Sequence, residues 1–140
     1  VYVCRHFKIY ELIPEYIYRS FHSRSWVLFD ERILKTIDRL RERYGTLVVN
    51  TWYWRGNSQY RGWRPQDCKV GAKFSQHKFG RAIDLIPKYV TANGIREDIK
   101  CDPFHKDFEY ITCVEDNTYH LHIDCRNYDK NKYGLLVIKL

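Results

Sequence analysis

Two short stretches carry the residue types from which a metal centre is built. In residues 75 to 85, SQHKFGRAIDL, a histidine, a glycine and an aspartate stand at His77, Gly80 and Asp84. Asp84 interrupts the apolar run Ala82-Ile83-Asp84-Leu85-Ile86, where a carboxylate is costly to bury unless something pairs with its charge. On one continuous helix His77 and Asp84 would lie two turns apart, about 10 Å at the standard rise, too far to share an ion. A bend at Gly80, where glycine opens the backbone conformations of a tight loop-to-strand turn, returns His77 to the side of Asp84. The bland alternative is a surface histidine and a turn, with Asp84 capping a backbone amide.

In residues 119 to 125, YHLHIDC, strict alternation places His120, His122 and Asp124 on one strand face and Leu121, Ile123 and Cys125 on the other. One face reads as core and the other as a ligand row. The carboxylate can serve as an outer partner, because a ligating imidazole usually donates its second N–H to a carboxylate or carbonyl. An exposed polar strand face is the competing reading. Two histidines and one aspartate drawn from these stretches make a three-ligand site with an open fourth position, the arrangement of catalytic rather than structural zinc. Zinc acidifies a bound water and polarises a carbonyl, so amide hydrolysis is the natural reaction class.

These residues need elements to position them. Leu12, Ile13, Tyr16, Ile17 and Phe21 fall near helical spacing, with Pro14 tolerable only in a first turn, so a short helix is expected from about residue 14. Asp30 as N-cap, an apolar face of Ile33, Leu34, Ile37, Leu40 and Tyr44, and Gly45 as C-terminal cap define a clear amphipathic helix. Residues 46 to 54, TLVVNTWYW, are rich in β-branched and aromatic side chains and read as a strand. A long loop is expected over 55 to 74, and loops of that length in a compact domain are often functional. Further strands are expected near 81 to 86, 108 to 115, 119 to 125 and 134 to 139, with an Asn93-Gly94 turn before a short helix near 95 to 100. The order predicts a small α+β single domain over 1 to 140, with no repeat and no internal boundary.

The chain of 140 residues is long enough to bury a core without disulfide staples. Its net charge of +7 favours anionic partners through the long-range field without choosing among nucleic acid, membrane surface and acidic cell-wall polymer. Arg55, Arg61 and Arg64 cluster with Trp52, Trp54 and Trp63, yet no recognised nucleic-acid motif accompanies them, so nucleic acid is not the expected partner. The odd count of five cysteines, with no C-x-x-C pair, predicts buried free thiols rather than a zinc ribbon or a disulfide framework. No stretch is apolar enough for membrane insertion, and no signal-peptide pattern is visible. Localisation stays open on these grounds.

Ser75-x-His77-x-x-Gly80-x-Ala82-x-Asp84, followed by His122-x-Asp124, resembles the zinc D-Ala-D-Ala carboxypeptidase and endopeptidase family of bacteria and bacteriophages, which shares its fold with the Hedgehog signalling domain. The resemblance is five fixed positions in ten residues plus the late histidine, and its general layout extends over most of the chain. It implies a mostly antiparallel sheet flanked by helices, with His77, Asp84 and His122 as the Zn2+ ligands. It also implies an arginine upstream of the first ligand that binds the substrate's carboxylate. Spacing favours Arg61, with Arg64 the neighbouring candidate, and a guanidinium suits the task because its planar fork grips a carboxylate with two bonds.

The chain departs from the family at the general base. Several members place a glutamate three residues before the last zinc histidine, where this chain has Tyr119. Asp116 is the first replacement, at an offset from His122 like that of the Hedgehog-type glutamate, and Glu115 is the second. His120 can instead act as acid or base, or stabilise the oxyanion. The resemblance thus implies a zinc metallopeptidase acting on peptidoglycan stems or cross-bridges, with virion association or release at lysis as the setting and other virion proteins as further partners. The alternative is a non-catalytic zinc-containing binding or structural virion module of the same fold.

Overall fold

The computed structural model describes all residues, 1 to 140. Four α-helices, α1 (Glu15–Phe21), α2 (Glu31–Tyr44), α3 (Ala92–Cys101) and α4 (Lys130–Tyr133), accompany five strands, β1 (Leu47–Val48), β2 (Ala82–Pro87), β3 (Cys113–Asp116), β4 (Leu121–Asp124) and β5 (Leu136–Lys139). The strands join in the order β1-β2-β4-β3-β5, antiparallel throughout except for the β3–β5 pair. This is an α+β domain with a mostly antiparallel sheet. No helix is long and apolar enough to cross a membrane.

Helix α2 forms where its apolar spacing requires it. The Asp30 side chain accepts from the Arg32 amide at 2.9 Å, and Gly45 ends the helix at φ +83°, a conformation open to glycine. Ile33, Leu34, Ile37 and Leu40 are completely buried, each contributing about 2 kcal/mol by removal from water. Asp38 on the same helix is buried too, but it accepts from the Tyr2 hydroxyl and from the amides of Arg5 and His6. That carboxylate ties the N-terminal segment to the core.

The sheet has one apolar and one polar face. Ile83, Leu85, Val114, Leu121, Ile123 and Cys125 belong to the same buried cluster as the residues of α2 and α3. Their sequence neighbours Asp84, Glu115, His122 and Asp124 therefore point to the opposite side, because side chains alternate along a strand. Register aligns them: Asp84 pairs with His122 across β2 and β4, and Cys113 pairs with Asp124 across β3 and β4. Continuing that register sets Glu115 opposite His122.

Several expected boundaries shift. Only Leu47 and Val48 of the 46 to 54 run are strand, since Trp52–Trp54 coil into a 3-10 turn closed by Arg55 at φ +68°. The strand expected over 108 to 115 is β3, confined to its end, and Lys106–Phe108 form a 3-10 turn before it. Asn93-Gly94 is not a preceding turn but lies in the first turn of α3, where Thr91 caps the Gly94 amide at 2.9 Å. Residues 55 to 74 carry no helix or strand, as expected.

Candidate metal centre

Ser75 begins the local structure that delivers His77. Its hydroxyl accepts from the His77 amide at 3.3 Å and so caps a 3-10 turn, Gln76–Phe79. Gly80 ends that turn in the left-handed region at φ +67°, and a Cβ there would collide with the Leu28 carbonyl. Only glycine meets both demands. The chain then enters β2, where the Asp84 amide donates to the Arg61 carbonyl at 2.8 Å and the loop before His77 becomes tied to the sheet.

His77, Asp84 and His122 converge, each at most 4 % exposed. One donor atom from each lies within 4.8 Å of the others, so the group could hold a metal ion. His77 Nε2 stands 3.3 Å and His122 Nδ1 2.8 Å from Asp84 Oδ1. Neighbouring ligand atoms of a tetrahedral ion with bonds of about 2.0–2.1 Å are separated by about 3.3 Å, so small side-chain movements suffice.

The opposite nitrogen of each ring is already committed. His77 Nδ1 donates to the Gly62 carbonyl at 2.8 Å, and His122 Nε2 donates to Asp124 at 2.7 Å. This leaves Nε2 of His77 and Nδ1 of His122 turned toward Asp84, an arrangement compatible with ligating imidazoles. Gly62 must be glycine for packing reasons, since a Cβ would strike the Leu12 backbone.

Charge is concentrated here. Burial opposes ionisation of Asp84, yet the neighbouring His77 and the hydrogen bond from His122 hold its carboxyl well below the ordinary range. Burial likewise disfavours a charged His122, but its hydrogen bonds to Asp124 and Asp84 outweigh it and lift the imidazole to about 9. Asp124 resists burial through Arg126 and His122 and falls to about 2. His120, its Nε2 3.6 Å from Asp84 Oδ1, is pushed down chiefly by burial.

A cavity of about 450 Å³ opens onto the trio. Glu115, His120 and Arg126 line it alongside Ser75 and Phe74, and the Glu115 carboxylate comes 3.7 Å from His122 Nδ1. Asp116 does not reach it. Residue parity on β3 sends Asp116 to the helical side of the sheet, where it pairs with Lys100 of α3 at 2.7 Å. Of the two β3 carboxylates considered for the base, Glu115 and not Asp116 therefore faces the cavity, for a reason of strand geometry.

Arg61 is half-buried on the wall of a shallower cavity that shares Arg64, Asp84 and His120 with the first. It donates to the Val49 carbonyl at 3.2 Å and to the Tyr119 hydroxyl at 3.4 Å. Arg64 is buried and spent on internal partners: the Tyr60 carbonyl at 2.6 Å and Asp84 at 3.4 Å. It anchors the metal group's carboxylate rather than standing free for a ligand. Sequence reasoning missed Arg126, which grips Asp124, although its place two residues beyond Asp124 on the same alternation was a usable signal. All five cysteines are free and none belongs to the trio.

No family model matches the sequence, and no curated protein and no solved structure matches it.

Proposed function

We propose that this chain is a zinc-dependent metallopeptidase that hydrolyses peptide bonds in peptidoglycan stems or cross-bridges, of the D-Ala-D-Ala carboxypeptidase and endopeptidase type that its motifs resemble. The observation that carries this reading is the buried His77–Asp84–His122 group at the base of a cavity whose wall holds a carboxylate 3.7 Å from the group. Two imidazole nitrogens and one carboxylate oxygen suit zinc, and three protein ligands leave a position for chemistry. Zinc bound there would supply a Lewis acid for the scissile carbonyl and lower the pKa of an attacking water.

The remaining work falls to this chain's own side chains. Glu115 takes the proton of the attacking water on its carboxylate and returns it to the leaving amine, a transfer that requires a base within hydrogen-bond reach of the reacting atoms. His120 is held neutral at neutral pH and still carries one N–H to donate to the developing oxyanion. Arg61, on the wall of the second cavity, which shares Asp84 and His120 with the first, orients the peptide through its carboxylate. A net charge of +7 favours residence near anionic cell wall, and a virion or lysis setting fits that substrate.

Tyr119 supports a second reading. It stands where several members of the resembled family carry a glutamate, and its side chain is largely exposed. A zinc-containing binding or structural module of the same fold would have no need of a base at that position. The two readings separate when zinc-loaded protein is incubated with purified peptidoglycan and newly released amino groups are counted. The peptidase releases them in a manner abolished by a chelator; the binding module sediments with the wall and releases none.

A further inference from the structure

The two histidines of the trio are oriented by different means. His77 is oriented by a backbone carbonyl, which no side-chain substitution removes. His122 depends on Asp124, a carboxylate with no exposed surface. Such a group must be fully hydrogen-bonded to remain ionised in the interior.

Four hydrogen bonds reach it from two residues. Asp124 Oδ2 accepts from His122 Nε2 at 2.7 Å and from the Arg126 guanidinium at 2.6 Å. Asp124 Oδ1 accepts from Arg126 Nε at 2.8 Å and from the Arg126 amide at 3.2 Å. Arg126 therefore holds both oxygens at once in a fork–fork geometry that a point charge such as lysine cannot reproduce. It does so from the cavity wall, with its side chain about a quarter exposed, and not from the core.

We propose that Arg126 and Asp124 are positioning residues that fix which nitrogen of His122 faces the metal. Arg126 orients the Asp124 carboxylate. The carboxylate holds the Nε2 proton of His122, and Nδ1 is thereby aimed at Asp84 and His77. An ordinary ion pair at the end of a strand would make the same contacts with Arg126 but would not set metal affinity. This inference rests on the trio being a metal site, and its test is arranged so that either idea can fail separately.

The full chain and its Asp124→Asn, Arg126→Gln and Arg126→Lys variants are compared in three measurements. These are zinc affinity by competition with a chromophoric chelator, the visible spectrum of the cobalt(II)-substituted protein, and the metal-free thermal transition. Asp124→Asn and Arg126→Gln weaken zinc binding about 10- to 100-fold, the usual effect of removing an outer-shell partner, and shift the cobalt bands. Arg126→Lys recovers only part of the loss. Lys100→Gln, which breaks the Lys100–Asp116 pair on the far side of the sheet, leaves affinity unchanged. Should Asp124→Asn fail to fold, the two Arg126 variants decide, because that side chain lies outside the core. Folded Arg126→Gln with wild-type zinc affinity and an unaltered cobalt spectrum would overturn the positioning role alone. Wild-type protein that binds neither metal would overturn the metal site and this inference with it.

Discussion

If the chain is the peptidase proposed, amidating the two adjacent carboxylates of β3 one at a time separates catalysis from stability. Glu115 and Asp116 are neighbours in sequence, but strand alternation puts one on the cavity wall and the other against α3. Glu115→Gln keeps the shape and removes the proton acceptor. General base catalysis contributes about 10²–10⁴-fold, so kcat falls by that factor, equivalent to about 3–5 kcal/mol in the barrier. Zinc stays bound, since Glu115 is not among the trio. Asp116→Asn does the reverse. It breaks the pair with Lys100 at 2.7 Å, in which both partners retain some solvent contact, and the longer contact at 3.9 Å with buried Arg96, whose guanidinium keeps its Asn93, Thr118 and His120 partners. A pair so placed is worth about 1 kcal/mol, so the urea midpoint drops while kcat changes less than twofold. The assay is release of amino groups from peptidoglycan at saturating zinc, run beside denaturant titrations of the same preparations. Loss of activity in Asp116→Asn with retention in Glu115→Gln would refute the assignment of roles by strand parity.

Other outcomes follow from named contacts. His122→Ala removes an N–H donor from both Asp84 and Asp124, leaving two buried carboxylates short of a partner; it abolishes metal binding and lowers metal-free stability by about 3–5 kcal/mol, read by denaturant titration. Gly80→Ala forces a left-handed residue to carry a Cβ into the Leu28 carbonyl, costing more than about 1–2 kcal/mol from backbone strain alone and displacing His77, so zinc affinity and melting temperature fall together. The buried thiols of Cys113 and Cys125 are pushed up to about 12 chiefly by burial, against an ordinary value of 9.0. The folded chain thus keeps protons that the unfolded chain releases, so stability is whole below about pH 9 and is lost as pH rises toward 12, by up to about 1.4 kcal/mol per pH unit for each thiol. Urea midpoints measured between pH 8 and 11 should decline, and a Cys113→Ala, Cys125→Ala variant should decline less steeply.

Much of the architecture was legible because it follows from local periodicity. Asp30, the apolar face of α2 and Gly45 specify that helix completely, and the alternation of residues 119 to 125 specifies the two faces of β4. Bringing His77, Asp84 and His122 together needed only the bend at Gly80 and an antiparallel pairing of two recognisable strands. What stayed hidden depended on distant partners. The apolar run 46 to 54 is a good strand by residue type, but the Asn50 side chain bonds the Ile13 carbonyl and the chain coils at Trp52, so β propensity yields to tertiary packing. The choice between Glu115 and Asp116 depends on the phase of β3. With Ile111, Cys113 and Val114 all apolar and buried, hydrophobicity alone does not set that phase. Arg64 stands as the neighbouring candidate to Arg61 in the sequence because its interior partners, the Tyr60 carbonyl and Asp84, are contacts of the fold and not of the motif.

The most direct test of the account is X-ray absorption spectroscopy at the zinc edge on purified protein, combined with metal content per chain. The account predicts one zinc per chain with two imidazole nitrogens and carboxylate oxygen in its coordination shell, and no sulfur. Absence of zinc, or a shell containing cysteine sulfur, would contradict it.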